Sequence, residues 1–423
     1  MIALRALSVV AGVFIILATL MSAVRTVIVP RAVPVRLARR TFRAMRWIYE
    51  LRVGRDASYV RRDRIFALYA PTTLLVLLLV WVTLEFVGYT FVYLGLNVTP
   101  LSHAVTVSGS ALLTLGLVHP EALGPTIVSF TQAAVGLILL ALLIAYLPTL
   151  YGVFSRREAA VTSLEARAGA PPSAAEFLER LWRIEFFDHL SDIWVRWEDW
   201  FVELAETHTS FPALAFFRSP EPDHAWVTAA GTVLDTAALT CSVLDRPRDP
   251  RAELMIRAGY LALRRIAAFF DIGYDPDPKA DDPISIARPE FDAVCDRLAD
   301  VGVPLKRDRD QAWRDYAGWR VNYDTVLLEL AALTQAPPSP WTADRSAVVT
   351  EHGRRPIEHD SPTGVTRPSV VPPAPNDRGQ EKSGGDRSAA GDGPSEAARS
   401  AVRSRRDASR DGGTDGRARR RAR

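Results

Sequence analysis

Three apolar runs decide what this chain can fold into. They are ALSVVAGVFIILATLMSAVRTVIV (6–29), FALYAPTTLLVLLLVWVTLEFVGYTFVYLGL (66–96) and TIVSFTQAAVGLILLALLIAYLPTLYGVF (126–154). Each exceeds the ~20 residues that a helix needs to cross a hydrocarbon layer roughly 30 Å thick. Only helices or closed barrels satisfy every backbone polar group inside lipid, and unbroken runs of this length read as helices. The expected fold class is an all-α membrane protein with three transmembrane helices.

Charge placement orients those helices. From Arg25, near the end of the first run, to Arg64, just before the second, stand twelve arginines against Glu50, Asp56 and Asp63. By the positive-inside rule this basic loop stays in the cytoplasm and the N-terminus faces outward. The third run returns inward and ends in SRRE (155–158), which puts the rest of the chain in the cytoplasm. A signal peptide is the alternative reading of the first run, since Met21-Ser22-Ala23 resembles a cleavage site. Lysine occurs only at 279, 306 and 382, and the Arg and Ala bias suggests a GC-rich bacterial genome, so the expected location is a bacterial inner (plasma) membrane. The net charge of only +3 argues against a nucleic-acid partner; the expected partner surface is membrane lipid. Cys241 and Cys295 have no metal-ligand spacing and suit a reducing compartment.

Between the second and third runs, LSHAVTVSGSALLTLGLVHP (101–120) is too apolar for a hydrated connector. Residues 101–113 fit a helix half the length of a span, the profile of a re-entrant pore helix and loop. A short helix, a Thr-x-Gly step and a final spanning helix together resemble the pore module of tetrameric potassium channels. The stretches SGSALLTLG (108–116), IAYLPTLYGVFSRREA (144–159), ETHTSFPALAFFRSP (206–220) and QAWRDYAGWRVNYDTVL (311–327) also resemble a family of actinobacterial membrane proteins described as two-pore or potassium-channel-like.

This resemblance implies a filter at Thr114, Leu115, Gly116 and Leu117, where carbonyls replace an ion's hydration water. Thr114 and Gly116 match the potassium pattern; Leu117 stands for its Tyr, Val118 for its second Gly and His119 for its Asp, so ion selectivity is left open. Ser108, Ser110 and Glu85 are the expected supports of the loop, with Glu85 either bracing Ser108, Ser110 or Thr114 or sitting near the outer headgroups. Gly136 and Pro148 are the expected gating hinge, against the alternative of plain helix packing.

The remainder reads as a cytoplasmic α-helical domain (156–345) followed by a disordered Arg/Asp/Gly/Pro-rich tail (346–423) that ends in RARRRAR. Ser173 and Glu176 form a capping-box pattern ahead of an amphipathic helix that breaks near Asp188. Further helices are expected at 225–244, 250–270 with Asp249 as cap, 289–301 and 308–334. Glu206, His208, Asp223 and His224, the acidic run 271–283, and Trp182, Trp194, Trp197, Trp200, Trp226, Trp313 and Trp319 are weighed as metal, calcium or stacking sites; surface, turn and core roles fit them better. No Gly-rich phosphate loop, nucleophile elbow or catalytic dyad is visible, so neither an enzyme nor a cofactor is expected.

The expected organisation is a signal-anchor helix and basic loop (1–65), a pore module (66–155), the cytoplasmic domain and the tail. The expected function is an ion-channel-like homotetramer passing monovalent cations. The alternative is a non-conducting membrane-anchored scaffold or signalling protein that keeps the pore module for oligomerisation.

Overall fold

The computed structural model describes residues 2–27, 35–53 and 58–345, and their regular structure is helical, with one isolated β-bridge between Leu244 and Leu305. The tail expected from 346 lies outside the described residues. Three helices are long and apolar enough to cross a membrane. The first, α1 (Ile2–Val27), packs antiparallel along α4 (Tyr69–Gly95). Small residues bring the two backbones together: a β-carbon on Gly12 would stand 2.5 Å from the Gly88 carbonyl oxygen. Trp81 Nε1 donates to Ser22 Oγ at 3.2 Å, tying the pair further along.

Two shorter helices lie between them, α2 (Arg36–Val53) and α3 (Tyr59–Phe66). α2 is amphipathic: Thr41, Tyr49 and Val53 are buried, while Arg36, Arg40, Arg43, Trp47 and Leu51 share an exposed face. Rings of Tyr49, Phe66 and Tyr69 meet edge to face or tilted and fix α3 against the start of α4. After α4 comes α5 (Leu101–Leu112), about 18 Å long at ~1.5 Å per residue, seated between α4 and α6 (Leu123–Ala168).

α6 runs on for about 69 Å, more than twice the thickness of a hydrocarbon layer. The boundary expected at 155/156 therefore falls inside one continuous helix, with Arg157, Glu158, Val161 and Leu164 buried in the domain that follows. Of the most apolar stretch of α6 only 11% is buried, against 39% for the stretch containing α4, so α6 is the helix most in need of lipid or protein cover.

The helical domain that follows is built around α9 (Trp226–Val243), whose residues from Trp226 to Leu239 are all buried. A helix apolar on every side belongs at the centre of a core. Around it stand α7 (Ala174–Arg183), α8 (Leu190–Ser210), α10 (Pro250–Phe269), α11 (Arg288–Asp300), α12 (Arg309–Arg320) and α13 (Asp324–Thr334). Asp249 accepts from Arg251 N and caps α10, with Pro250 in its first turn. The amphipathic stretch after 176 breaks as expected, with a 3₁₀ turn Phe187–His189 between α7 and α8. Two expectations fail. Ser173 makes no side-chain cap, because Glu176 turns to Arg180 and no capping box forms. The helix expected over 308–334 splits at Val321–Tyr323, where the Tyr323 amide bonds back to the Arg320 carbonyl and the chain turns to start α13.

Trp194, Trp197, Trp200 and Trp226 are core, with Trp182, Trp313 and Trp319 packed against it. One charge sits inside α9, and Arg320 meets it: both Nη1 contacts to the Asp235 carboxylate are 2.7 Å, with Tyr323 OH donating at 2.8 Å.

Candidate functional site

The stretch 101–120 is held from two sides. Ser108 Oγ donates to the Phe86 carbonyl at 3.0 Å and accepts from Gln132 Nε2 at 2.8 Å, and Tyr93 OH donates to Gln132 Oε1 at 3.0 Å. Ser108, Gln132 and Tyr93 are fully buried, so α5 is pinned to both α4 and α6 by hydrogen bonds shielded from water. Gly136 permits the closest approach: a β-carbon there would stand 2.5 Å from the Leu112 carbonyl oxygen. α6 continues unbroken through Gly136 and Pro148, and Gly136 lies against the end of α5.

After α5 the backbone turns sharply. Thr114 has φ of 52° and Gly116 of 66°, two left-handed residues flanking Leu115. The left-handed region favours glycine, and nothing lies within 4 Å of a β-carbon built on Gly116, so conformation rather than space calls for glycine there. Ser110 collects the amides that follow: Leu115 N donates to its carbonyl at 2.8 Å, and Leu117 N and Val118 N donate to its Oγ at 2.9 and 3.2 Å.

The peptide bonds here are trans, so each carbonyl points opposite to the amide beside it. With the amides of 115, 117 and 118 turned toward Ser110, the carbonyls of Thr114, Gly116 and Leu117 are turned away from α5. None of these three carbonyls accepts a hydrogen bond among the described residues. The side chains of Leu113, Leu115 and Leu117 are exposed beside them.

Glu85 is fully buried and neither of its carboxylate oxygens has a partner among the described residues. It braces none of Ser108, Ser110 and Thr114. The single hydroxyl donor of Ser108 is spent on Phe86, Ser110 Oγ takes the two amides, and Thr114 Oγ1 turns to the Leu113 carbonyl. Gln132, the residue that does bridge α5 and α6, was not singled out by sequence reasoning. Its signal was available: a polar amide within an apolar run calls for a partner.

A second cluster couples α6 to the domain. Arg157 donates to the carbonyls of Leu214 and Phe217, each at 2.8 Å, pairs with Glu158 at 2.7 Å, and stands 3.2 Å from His208 Nε2. Glu158 in turn accepts from Ser219. Leu214 and Phe217 pack with Tyr146, Leu150 and Val153 of α6 and Ala70 and Leu74 of α4. Close by, Arg218 bonds Asp63 at 2.5 Å, linking α3 to the carbonyls of Thr334 and Gln335 after α13. The stretches 144–159 and 206–220 thus form one joint between the long apolar helices and the domain. Burial and the Arg157 charge hold the His208 imidazole well below the usual histidine range. His224 lies 3.4 Å from Glu165, Glu206 faces Ser210, and Asp271 of the acidic run pairs with Arg39 at 2.7 Å.

Comparison of the chain with family models, with curated proteins and with solved structures finds no match.

Proposed function

We propose that this chain is an ion-channel-like membrane protein that passes monovalent cations along the backbone at Thr114–Leu117, as a homotetramer around that segment. One observation carries the reading: three free carbonyls within four residues, of Thr114, Gly116 and Leu117, are turned away from α5 beside two apolar helices. Irregular backbone with unsatisfied carbonyls is tolerated at membrane depth only where protein covers it or water fills a cavity. A carbonyl row of this kind offers a cation the oxygens of its lost hydration shell. One copy cannot ring an ion, and the bare flank of α6 and the exposed Leu113, Leu115 and Leu117 give other copies an apolar surface to cover. In this reading α5 is a re-entrant pore helix whose tip reaches Gly136, about 20 Å along α6. The basic loop and the domain lie in the cytoplasm of a bacterial cell, by the distribution of arginine.

A second reading, a non-conducting anchored scaffold, is favoured by Ser110. Its Oγ takes both the Leu117 and Val118 amides, which folds the segment back on α5 soon after Gly116 and shortens the carbonyl row. Full-length protein in liposomes separates the two. Conduction predicts potassium or sodium flux that Gly116→Val abolishes with oligomeric state unchanged. A tetramer without flux favours the scaffold, and a monomer excludes a shared path.

A further inference from the structure

Where the spanning helices meet the domain, the fold forms an open pocket of about 290 Å³. Its floor is apolar: Phe42, Tyr69, Leu74, Tyr146, Ala213 and Phe216. Its rim is basic, with Arg25, Arg39, Arg43 and Arg46 against a single acid, Asp271. Asp271 is taken by Arg39 at 2.7 Å, and Arg46 pairs with Glu50 at 2.8 Å while donating to the Leu333 carbonyl. Arg25 and Arg43 have no ion pair among the described residues, so two guanidinium groups overlook an apolar hollow with their charge uncompensated.

From these features we infer that the cavity is a binding site for an anionic phospholipid, its acyl chain against the aromatic floor and its phosphate between Arg25 and Arg43. The place fits the ligand. The wall is made by the last turns of α1, the first turns of α4 and Tyr146 near the end of the apolar part of α6, which is the depth of a lipid headgroup for helices that cross a bilayer. The surface beside it fits too. The exposed face of α2 joins Arg36, Arg40 and Arg43 to Trp47 and Leu51, the pairing of cations with an interfacial ring that lies flat on an anionic surface. Arg43 belongs to both that face and the cavity rim. A free phosphate would leave the apolar floor unused; a lipid uses both halves. The inference rests on the spanning helices and is independent of whether the protein conducts.

The test uses full-length protein in detergent, with bound lipid measured by native mass spectrometry and by thermal shift. The probes are phosphatidylglycerol, phosphatidylcholine of the same acyl chains, and glycerol 3-phosphate. Phosphatidylglycerol is expected to bind selectively, and Arg25→Gln with Arg43→Gln to weaken it by about tenfold or more, from the gain each arginine makes near anionic lipid. Arg61→Gln with Arg64→Gln, an equal charge change on α3 away from the cavity, should leave binding intact. Ala38→Trp, which fills the cavity and changes no charge, should abolish it and serves if the double arginine variant does not fold. Equal binding of phosphatidylcholine, equal binding of glycerol 3-phosphate, or equal loss in both arginine pairs would each overturn the site.

Discussion

Gly136 and Leu112 meet backbone to backbone: any β-carbon on residue 136 would come 2.5 Å from the Leu112 carbonyl oxygen. Gly136→Ala therefore sets two effects against each other. Alanine in a helix interior gains up to about 1 kcal/mol over glycine, but overpacking costs about 1–3 kcal/mol when the neighbour cannot swing away. Backbone cannot swing away as a side chain can, so the clash wins. The thermal midpoint in detergent should fall, and flux should fall with it if the path runs beside α5. The same change at Gly124, which has open space around it, should be neutral or stabilising.

The helices expected to span were legible because lipid leaves so few alternatives: length and apolarity alone define α1, α4 and α6. The cap at Asp249 is local chemistry and was equally readable. What stayed hidden depends on partners distant in sequence. α2 gathers Arg36, Arg40 and Arg43 on one face, yet charge counting treated 36–53 as loop. Arg157 looks like one more cation of a basic flank until Leu214 and Phe217 close over it. Gly136 could be read as a hinge or as plain packing, and the contact it makes, with Leu112, could not be read because that residue lies in another helix. The turn at Val321–Tyr323 is invisible to periodicity, since α12 and α13 both bury apolar residues against α9.

Neighbouring arginines at the joint should behave oppositely. Arg157 is buried and serves two carbonyls and a carboxylate, whereas Arg156 is exposed and pairs only with Glu203 at 2.8 Å. Arg157→Met leaves Glu158 without its cation and two buried carbonyls without donors, a loss of about 3–5 kcal/mol by analogy with broken buried pairs. Arg156→Met removes an exposed pair that contributes about 1 kcal/mol or less. Thermal unfolding of the full chain should fall on the order of 10 °C in the first variant and stay near wild type in the second. Limited proteolysis should cut the first variant within 211–219.

His208 gives the joint a pH dependence of definite sign. Burial and the Arg157 guanidinium disfavour its protonated form, so its folded pKa lies well below the unfolded value of about 6.5. Its other near contacts, the Leu204 carbonyl at 3.0 Å and the Trp226 ring at 4.8 Å, add no full charge. Below pH ~6.5 the unfolded chain binds a proton that the folded chain refuses, so stability contributed by neutral His208 is present above that pH and lost as pH falls. The midpoint should therefore decline between pH ~6.5 and 5, and His208→Gln should flatten that decline by one proton's slope. An unchanged slope would mean that other groups set the acid limit.

Asp235 and Arg320 form the core ion pair of the domain, and its several partners grade the losses. Asp235→Ala leaves the fully buried Arg320 with Asp324, at 2.6 Å, and the Trp341 carbonyl, at 2.7 Å, and strands the hydroxyls of Tyr316 and Tyr323. A cost of about 3–5 kcal/mol follows from two buried hydroxyls left without an acceptor and from the loss of one of the two carboxylates that face Arg320. Tyr323→Phe removes one bond to a carboxylate and should cost about 1.5–3 kcal/mol. The double variant Asp235→Leu with Arg320→Met is the informative one. It removes both charges, and Asp324 keeps the Ser285 amide and hydroxyl at 2.8 and 2.7 Å, while the Trp341 carbonyl loses its donor. Replacing both members of a buried pair by apolar groups is often close to neutral, so the double variant should unfold at a higher temperature than Asp235→Ala. If it is the less stable of the two, the carbonyl and Asp324 contacts outweigh the desolvation of the pair, and Arg320 rather than the pair organises the core.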